Sequence, residues 1–436
     1  MSKLKNDRSE NIFEDYKPEY NSHQAVAESN RCLYCEDAPC TQICPTHINI
    51  PEFIRKISTG NVKGAAKTIF ESNILNMSCA RVCPVEVLCV GDCVYNNMDQ
   101  PPIQIGKLQR FATDEAFEHE WEFFTAGADS GKSVGLIGGG PASIAAAHEL
   151  RRQGHACTIY EKRDVLGGLN TWGVAPYKLR ADRALAEIDW VLQIGGIDIQ
   201  CGVSVGEDVT LRELELRHNA LFIGLGLGAD KHLNVPGEDL DGVVGAVDYI
   251  ERLKMGAVSL DEIKKVAVIG GGNTALDCVR ELLGMGVTNV TLVYRGTESG
   301  MSGYMHEWDV GKKNGAHVNW RSQPTAYVGN GRVNAVECLA LDENKQTIAG
   351  SEFTLPADLV LVAIGQSKLG AMLTPLAGVE LDWGRVVVDE HGATGHPGVY
   401  AGGDCANGGK EVVNAVYEGK TAAQAMHQYL TGVSNG

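Results

Sequence analysis

The sequence has no run of 18 consecutive apolar residues, so it offers no helix that would span a bilayer. It has no excess of positive charge either. Lys and Arg number 38 against 55 Asp and Glu, a formal net charge of −17. Such a chain is repelled by nucleic acid and by anionic membrane surfaces, so neither is expected as a partner. The first twenty residues, MSKLKNDRSENIFEDYKPEY, contain no apolar h-region; the expectation is no secretory signal and a cytoplasmic protein. In a reducing compartment thirteen cysteines are not a disulfide framework, and they point to metal or redox chemistry. With 436 residues and 44% apolar content the chain is a soluble globular protein of two or three domains.

What the chain does have is centred on Ser133 to Glu161. An apolar run, Val134 to Ile137, enters the turn Gly138, Gly139, Gly140; an amphipathic run follows, then a second apolar run ending in Glu161. Strand, glycine turn, helix and strand in that order form a dinucleotide fingerprint. Gly138 permits the tight turn, Gly140 lets backbone approach a pyrophosphate, and the helix beginning at Pro141 and Ala142 offers unpaired N–H groups to it. Glu161, about 20 residues on, stands where a carboxylate accepts from ribose hydroxyls. The alternative, a glycine-rich turn in an ordinary α/β domain, leaves that acid unexplained. Gly167, Gly168 and Leu169 follow closely enough to bring more backbone to the same ligand. From Arg180 to Ile194 the apolar spacing is helical.

The pattern returns about 130 residues later in KVAVIGGGNTALDCVRELLGMGVTNVTLVYRG. Gly270, Gly271 and Gly272 make the turn, Asn273 and Thr274 open the helix, and the strand Val290 to Tyr294 follows. This second unit holds a second dinucleotide or is a decayed copy; the intact turn favours the former. Its closing strand ends in Tyr294-Arg295 rather than an acid. An arginine there pairs with a 2′-phosphate, which tilts the site toward NADPH without excluding NADH. Near the end of the chain, GVYAGGDCANGGK sets Asp404 behind Gly402 and Gly403, ahead of a helix from about Val412 to Leu430. An acid on such a turn suits a polyol beside backbone N–H groups; the alternative is a plain helix N-cap.

Residues 1 to about 25 read as a flexible lead-in, and residues 118 to 131 as a linker. Between them, eight cysteines fall in two groups: Cys32, Cys35, Cys40 and Cys44, then Cys79, Cys83, Cys89 and Cys93. Two short amphipathic helices separate the groups. Pro45 and Pro84 each follow a cysteine directly, as in ferredoxin-type iron-sulfur runs, where the last cysteine of a run often serves the other cluster. Four-cysteine zinc sites use two close pairs, and only one C-x-x-C is present here, so iron-sulfur is favoured over zinc or buried free thiols.

Taken together, these motifs resemble the two-dinucleotide flavoproteins over nearly the whole chain. The cysteine helices resemble those of the glutamate synthase small subunit and of dihydropyrimidine dehydrogenase. The strings CLYCEDAPC, SCARVCP, IGKLQRFATD and GGLNTWGVAPYKL are most similar to the flavin subunit of bacterial NAD-dependent dihydropyrimidine dehydrogenases. That resemblance implies an α/β protein with an α-helical domain carrying two 4Fe-4S clusters (1–130), an FAD domain (131–255 and 367–436) and an NAD(P) domain (256–366), both Rossmann-like. It implies Cys32, Cys35, Cys40 and Cys93 on one cluster, and Cys44, Cys83, Cys89 and Gln109 on the other, with Cys79 spare. FAD contacts fall on Gly138, Gly140, Pro141, Ala142, Glu161, Gly167, Gly168, Leu169, Lys178, Gly403 and Asp404. Those for NADH or NADPH fall on Gly271, Gly272, Asn273, Thr274 and Arg295. The family's NADPH users often carry a second basic residue after the first; here it is Gly296. No catalytic side chain emerges. Cys157 and Cys278 stand alone, which argues against a dithiol reductase of thioredoxin reductase type. No length remains for an FMN barrel, so the implied partner is a separate FMN-containing catalytic subunit.

Overall fold

A computed structural model describes residues 4–14 and 17–432. Along the chain run strands β1 (Ser133–Ile137), β2 (Ala156–Glu161), β3 (Ile197–Cys201), β4 (Ala220–Ile223), β5 (Val243–Gly245), β6 (Lys265–Ile269), β7 (Asn289–Tyr294) and β8 (His317–Trp320). Then come β9 (Ser322–Asn330), β10 (Arg332–Ala340), β11 (Phe353–Pro356), β12 (Leu359–Val362), β13 (Leu381–Asp382), β14 (Arg385–Val386) and β15 (Val399–Ala401).

Two parallel sheets form the body. The first has the order β15-β4-β1-β2-β3, the second β5-β12-β6-β7-β8. Their middle strands are apolar and buried on both faces, as parallel strands covered by helices must be. In each sheet the strand leading into a glycine turn, β1 or β6, lies at the centre. The crossover helices Pro141–Arg152 and Asn273–Gly284 therefore start at the carboxyl ends of the strands, where ligands of open α/β sheets bind. The C-terminal helix Val412–Thr431 packs along Pro141–Arg152 and closes the first unit.

The described part of 1–130 is helical, with helices Ser22–Ser29, Ile50–Ser58, Val62–Ser72, Asn76–Val82 and Ile105–Glu118. Its apolar face is continuous with that of the first unit: Phe53, Ile54, Ile69 and Leu108 belong to one core with Val134, Ile144 and Val416. The second unit has cores of its own, one around Leu276, Val290 and Trp308, another around Ile269, Val336 and Val360.

Three readings change. Residues 243–255, assigned to the first unit, join the second: β5 pairs with β12, and the helix Ala246–Met255 packs into the second unit's core. The antiparallel sheet β11-β10-β9 was not foreseen; Val333, Val336 and Cys338 from it cover the face of the second parallel sheet. And the described part of the lead-in is docked, not loose. Glu10 is fully buried, takes the N–H of Ala181 at 2.9 Å and pairs with Arg8 at 2.9 Å, while Ser9 N–H reaches the carbonyl of Gly256 at 2.9 Å. Residues 1–3 and 15–16 of that stretch lie outside the described residues.

Candidate functional site

The two sheets face a shared cavity of about 590 Å³. From the first unit it is lined by Gly138 to Ala142, Glu161, Gly168, Leu169, Lys178, Gly403 and Asp404; from the second by Asn273, Asp277, Tyr304 and Glu307. Val82 and Pro84, the two neighbours of Cys83, complete the wall. Three parts of the chain thus meet at one void.

The first glycine turn is shaped by close approach. Gly138 has φ +94°, and a Cβ there would run into the carbonyl oxygen of Gly224. Gly140 caps the helix Pro141–Arg152 without any side-chain hydrogen bond, leaving the first-turn N–H groups open toward the cavity. Gly167 donates its N–H to the carbonyl of Gly139 at 2.8 Å, so the two glycine loops abut. Glu161 is buried, and its carboxylate already accepts from the N–H of Gly139 (2.7 Å) and of Arg163 (2.8 Å). It braces the turn as well as facing the cavity. Asp404 follows the cap Gly403, so it is not the N-cap itself; it accepts from Lys410 N–H at 3.3 Å, and burial raises its pKa.

The second turn repeats the geometry. Gly270 has φ +143° and approaches the carbonyl of Ala363 as Gly138 approaches Gly224. Gly272 caps its helix, again without a side-chain bond. Here a loop lies over the turn: Gly303 N–H donates to Gly271 at 2.9 Å, and Tyr304 N–H to Asn273 Oδ1 at 3.0 Å. Thr274 is partly exposed beside them, and Arg295 is exposed at the end of β7, with no ion pair among the described residues.

Lys178, expected beside the first ligand, bridges the units. Its Nζ lies 2.7 Å from Asp277 and 2.7 Å from Glu307, both of the second unit. Burial opposes its charge, but the two carboxylates prevail and raise its pKa. Tyr177 donates to Asp277 at 2.7 Å and Tyr304 to Glu411 at 2.7 Å. The sequence reading missed Asp277 and Glu307. Asp277 had a signal: it lies four residues after Asn273, one helical turn from the glycines and on the same face. Glu307 had none.

Orphaned polar atoms mark where ligands fit. Asn170 Oδ1 and Glu307 Oε2 are buried in cavity-lining residues without a hydrogen-bond partner among the described residues. Burial without a partner is costly unless a ligand supplies one.

The cysteines fall into two neighbourhoods. Burial, with Cys32, Cys93 and Cys35 as neighbours, pushes the Cys40 thiol up to about 12. Burial raises Cys89 too, with Cys44, Cys83 and Cys40 as the thiols acting on it, so Cys40 stands beside both groups. Cys79 is also raised by burial, next to Cys83. Gln109 is buried on helix Ile105–Glu118. One turn earlier, Gly106 faces Val85, two residues from Cys83. Among the described residues no three His, Cys, Asp or Glu converge as ligands of a single ion. Cys157 and Cys278 are buried and, like the other described cysteines, in no disulfide. Among the described residues no helix is long and apolar enough to cross a membrane.

These features define an oxidoreductase with two Rossmann-like units preceded by a cysteine-rich helical domain. Residues 8–121 match the family described as "Dihydroprymidine dehydrogenase domain II, 4Fe-4S cluster", and residues 132–419 the family described as "Pyridine nucleotide-disulphide oxidoreductase". The chain is 34% identical to the glutamate synthase [NADPH] small chain of Halomonas elongata, over 96% of this chain and 93% of that one. It is also 34% identical to the NAD-dependent dihydropyrimidine dehydrogenase subunit PreT of Escherichia coli K12, over 97% and 98%. Among solved structures, thioredoxin reductase of T. acidophilum aligns with a TM-score of 0.56 and 25% identity over 68% of this chain and 98% of that one. FprA of Mycobacterium tuberculosis in complex with NADPH aligns at 0.55 and 21%, over 69% and 85%, a likeness of fold alone. The chain belongs to the pyridine nucleotide-disulphide oxidoreductase family, alongside glutamate synthase small chains and PreT, and is an NAD(P)H-dependent flavin and iron-sulfur oxidoreductase.

Proposed function

We propose that this chain is the electron-input subunit of a dihydropyrimidine dehydrogenase, working with NADH or NADPH, FAD and two 4Fe-4S clusters and serving an FMN-containing partner that reduces uracil or thymine. The observation that carries the reading is the single cavity wall shared by the first glycine turn, by Asn273 and Asp277 of the helix that follows the second, and by the neighbours of Cys83. When bound, flavin takes two electrons as a hydride and returns them singly, and each cluster carries one.

The residues present fit those groups. The open N–H groups after Gly140 and after Gly272 suit two pyrophosphates. Glu161 and Asp404 supply acceptors for ribose and ribityl hydroxyls, and Asn170 Oδ1 an acceptor for a buried ring N–H. Lys178 presents a cation to the flavin side of the cavity while Asp277 and Glu307 hold it in place. Glu307 Oε2, unpaired at the cavity edge, suits a carboxamide N–H₂ and would orient the nicotinamide. Closing the cavity with Val82 and Pro84 excludes water between the reacting rings and the Cys83 loop. The wall supports Cys44, Cys83, Cys89 and Gln109 as the nearer cluster set, with Cys32, Cys35, Cys40 and Cys93 beyond it toward the partner.

A glutamate synthase small subunit is the second reading, favoured by equal identity to that relative. Gln109 supports the first, because the glutamate synthase group tends to carry another residue there. The test is iron content in three variants. Cys83→Ala should lose one cluster, Gln109→Ala should disturb that same cluster, and Cys79→Ser should stay near wild type. Iron lost in Cys79→Ser and kept in Gln109→Ala would overturn the glutamine ligand and the branch assignment. Co-purification with an FMN protein that reduces uracil, rather than with a glutamate-forming one, tests the partner.

A further inference from the structure

Lys17 belongs to neither fingerprint and to neither cysteine group. Its Nζ nevertheless donates to the carbonyl oxygen of Cys83 at 2.8 Å. Cys83 caps the end of helix Asn76–Val82, so this carbonyl lies at the helix's negative pole, where a cation is favoured. Lys17 makes no ion pair among the described residues. Burial lowers its pKa, while the thiols of Cys83 and Cys89 and the carboxylate of Glu86 favour its charge and Lys178 opposes it. Of these, Glu86 lies 3.5 Å from His306 Nε2, and Lys178 is engaged by Asp277 and Glu307. Lys17 is set against the cysteine loop whose flanks, Val82 and Pro84, wall the shared cavity, with Glu86 as the carboxylate that acts on it from beyond ion-pair distance.

A cluster that gains one electron gains one unit of negative charge. A fixed cation at contact distance, partly shielded from water, stabilises that state more than the electron-poor one. We propose that Lys17 is a positioning residue that acts through Cys83: its ammonium raises the reduction potential of the cluster held by Cys44, Cys83 and Cys89, making it the favoured first stop for electrons leaving the cavity. This deepens the electron-input reading and rests on it. The step itself is one electron moving from reduced flavin to the cluster; the flavin is oxidised by one electron, the cluster is reduced by one, and no bond to Lys17 is made or broken.

The test is potentiometry of the full-length protein with its flavin and clusters in place, following each cluster by electron paramagnetic resonance. The cluster of interest is identified as the one missing in Cys83→Ala. In Lys17→Met its one-electron equilibrium should shift about tenfold toward the oxidised form, a fall of about 59 mV, with the other cluster unchanged. Lys17→Arg, which keeps the charge, should restore it. Should Lys17→Met lose iron, Lys17→Gln keeps a donor without the charge and must show the same fall. An unchanged potential in the uncharged variants, or an equal shift of both clusters, overturns the proposal while leaving the electron-input reading intact. A wild-type chain without clusters overturns both.

Discussion

Phe70 and Phe117 of the cysteine-rich helices pack against Trp190 of the first nucleotide unit, with ring centroids 4.6 and 5.1 Å apart. The second unit is tied to the first by different chemistry. Lys254, fully buried on helix Ala246–Met255, donates to the carbonyls of Asn170 (3.0 Å), Val174 (2.8 Å) and Leu179 (2.7 Å), and Lys178 answers from the other side through Asp277 and Glu307. Units with the same internal plan thus have unlike attachments, one through a common apolar core, the other largely through polar groups. Apolar union fixes the distance between flavin cavity and cysteines. A polar seam can exchange its partners for water or ligand, which suits the unit proposed to take the nicotinamide nucleotide.

The largest expected effects come from breaking one glycine turn at a time. Gly138→Ala and Gly270→Ala each force a side chain into a left-handed backbone and onto a neighbouring carbonyl, at about 1–3 kcal/mol from the backbone alone. Gly138→Ala should purify with little flavin and a lowered Tm. Gly270→Ala should keep its flavin and remain reducible by dithionite, yet lose reduction by NADH and NADPH. If Gly270→Ala also loses its flavin, or Gly138→Ala keeps it, the units do not act separately and the comparison fails.

Next in size are two opposite pH dependences, one per seam. Glu187 of the first unit is fully buried against the cysteine domain, where it accepts from Ser78 N–H (3.2 Å) and from the Ser78 hydroxyl. Burial raises its pKa to about 7, against the hydrogen bonds from Ser78. Its folded pKa is above the unfolded 4.5, so the folded state binds the extra proton, and stability falls as pH rises from 4.5 to 7. Lys254 is the mirror case. Burial lowers it to about 8 from 10.5, the unfolded chain binds the extra proton, and stability rises between pH 8 and 10.5. Each slope is worth on the order of 3 kcal/mol. Urea titrations across pH should show both, Glu187→Gln should remove only the acid slope, and Lys254→Met only the alkaline one.

The sequence made the two glycine turns legible because their chemistry is local: strand, turn and helix are contiguous, and Gly138 and Gly270 bear the same relation to their neighbours. The helices Ala181–Leu192 and Val412–Thr431 were legible for the same reason, through apolar spacing within one element. The misreadings were non-local. β5 is three residues long, and only its pairing with β12, more than a hundred residues later, gives it to the second sheet. Glu10 and Lys17 sit in a polar segment whose partners, Ala181 and Cys83, are far along the chain, so nothing nearby marked them as docked. Asp277 and Glu307 acquire a role only when Lys178 crosses between the units.

The smallest expected effect lies at the two strand ends, where the comparison is sharpest. β2 ends in Glu161, buried and already bracing the Gly139 and Arg163 N–H groups, so Glu161→Ala removes an internal brace together with about 1.5–3 kcal/mol of ligand contact. Flavin retention after dialysis should fall accordingly. β7 ends before Arg295, which is exposed and unbraced. A phosphate on the ribose would meet it in high dielectric, screened by salt, and such exposed pairs contribute about 0–1 kcal/mol. Arg295→Ala should therefore lower kcat/KM for NADPH relative to NADH by no more than about fivefold, at low ionic strength, with Tm and flavin content untouched. Added salt should erase most of the difference in the wild type and none in the variant. A strong NADH preference that persists unchanged in Arg295→Ala would show that the strand end does not read the ribose, and that Arg295 is only a solvated charge.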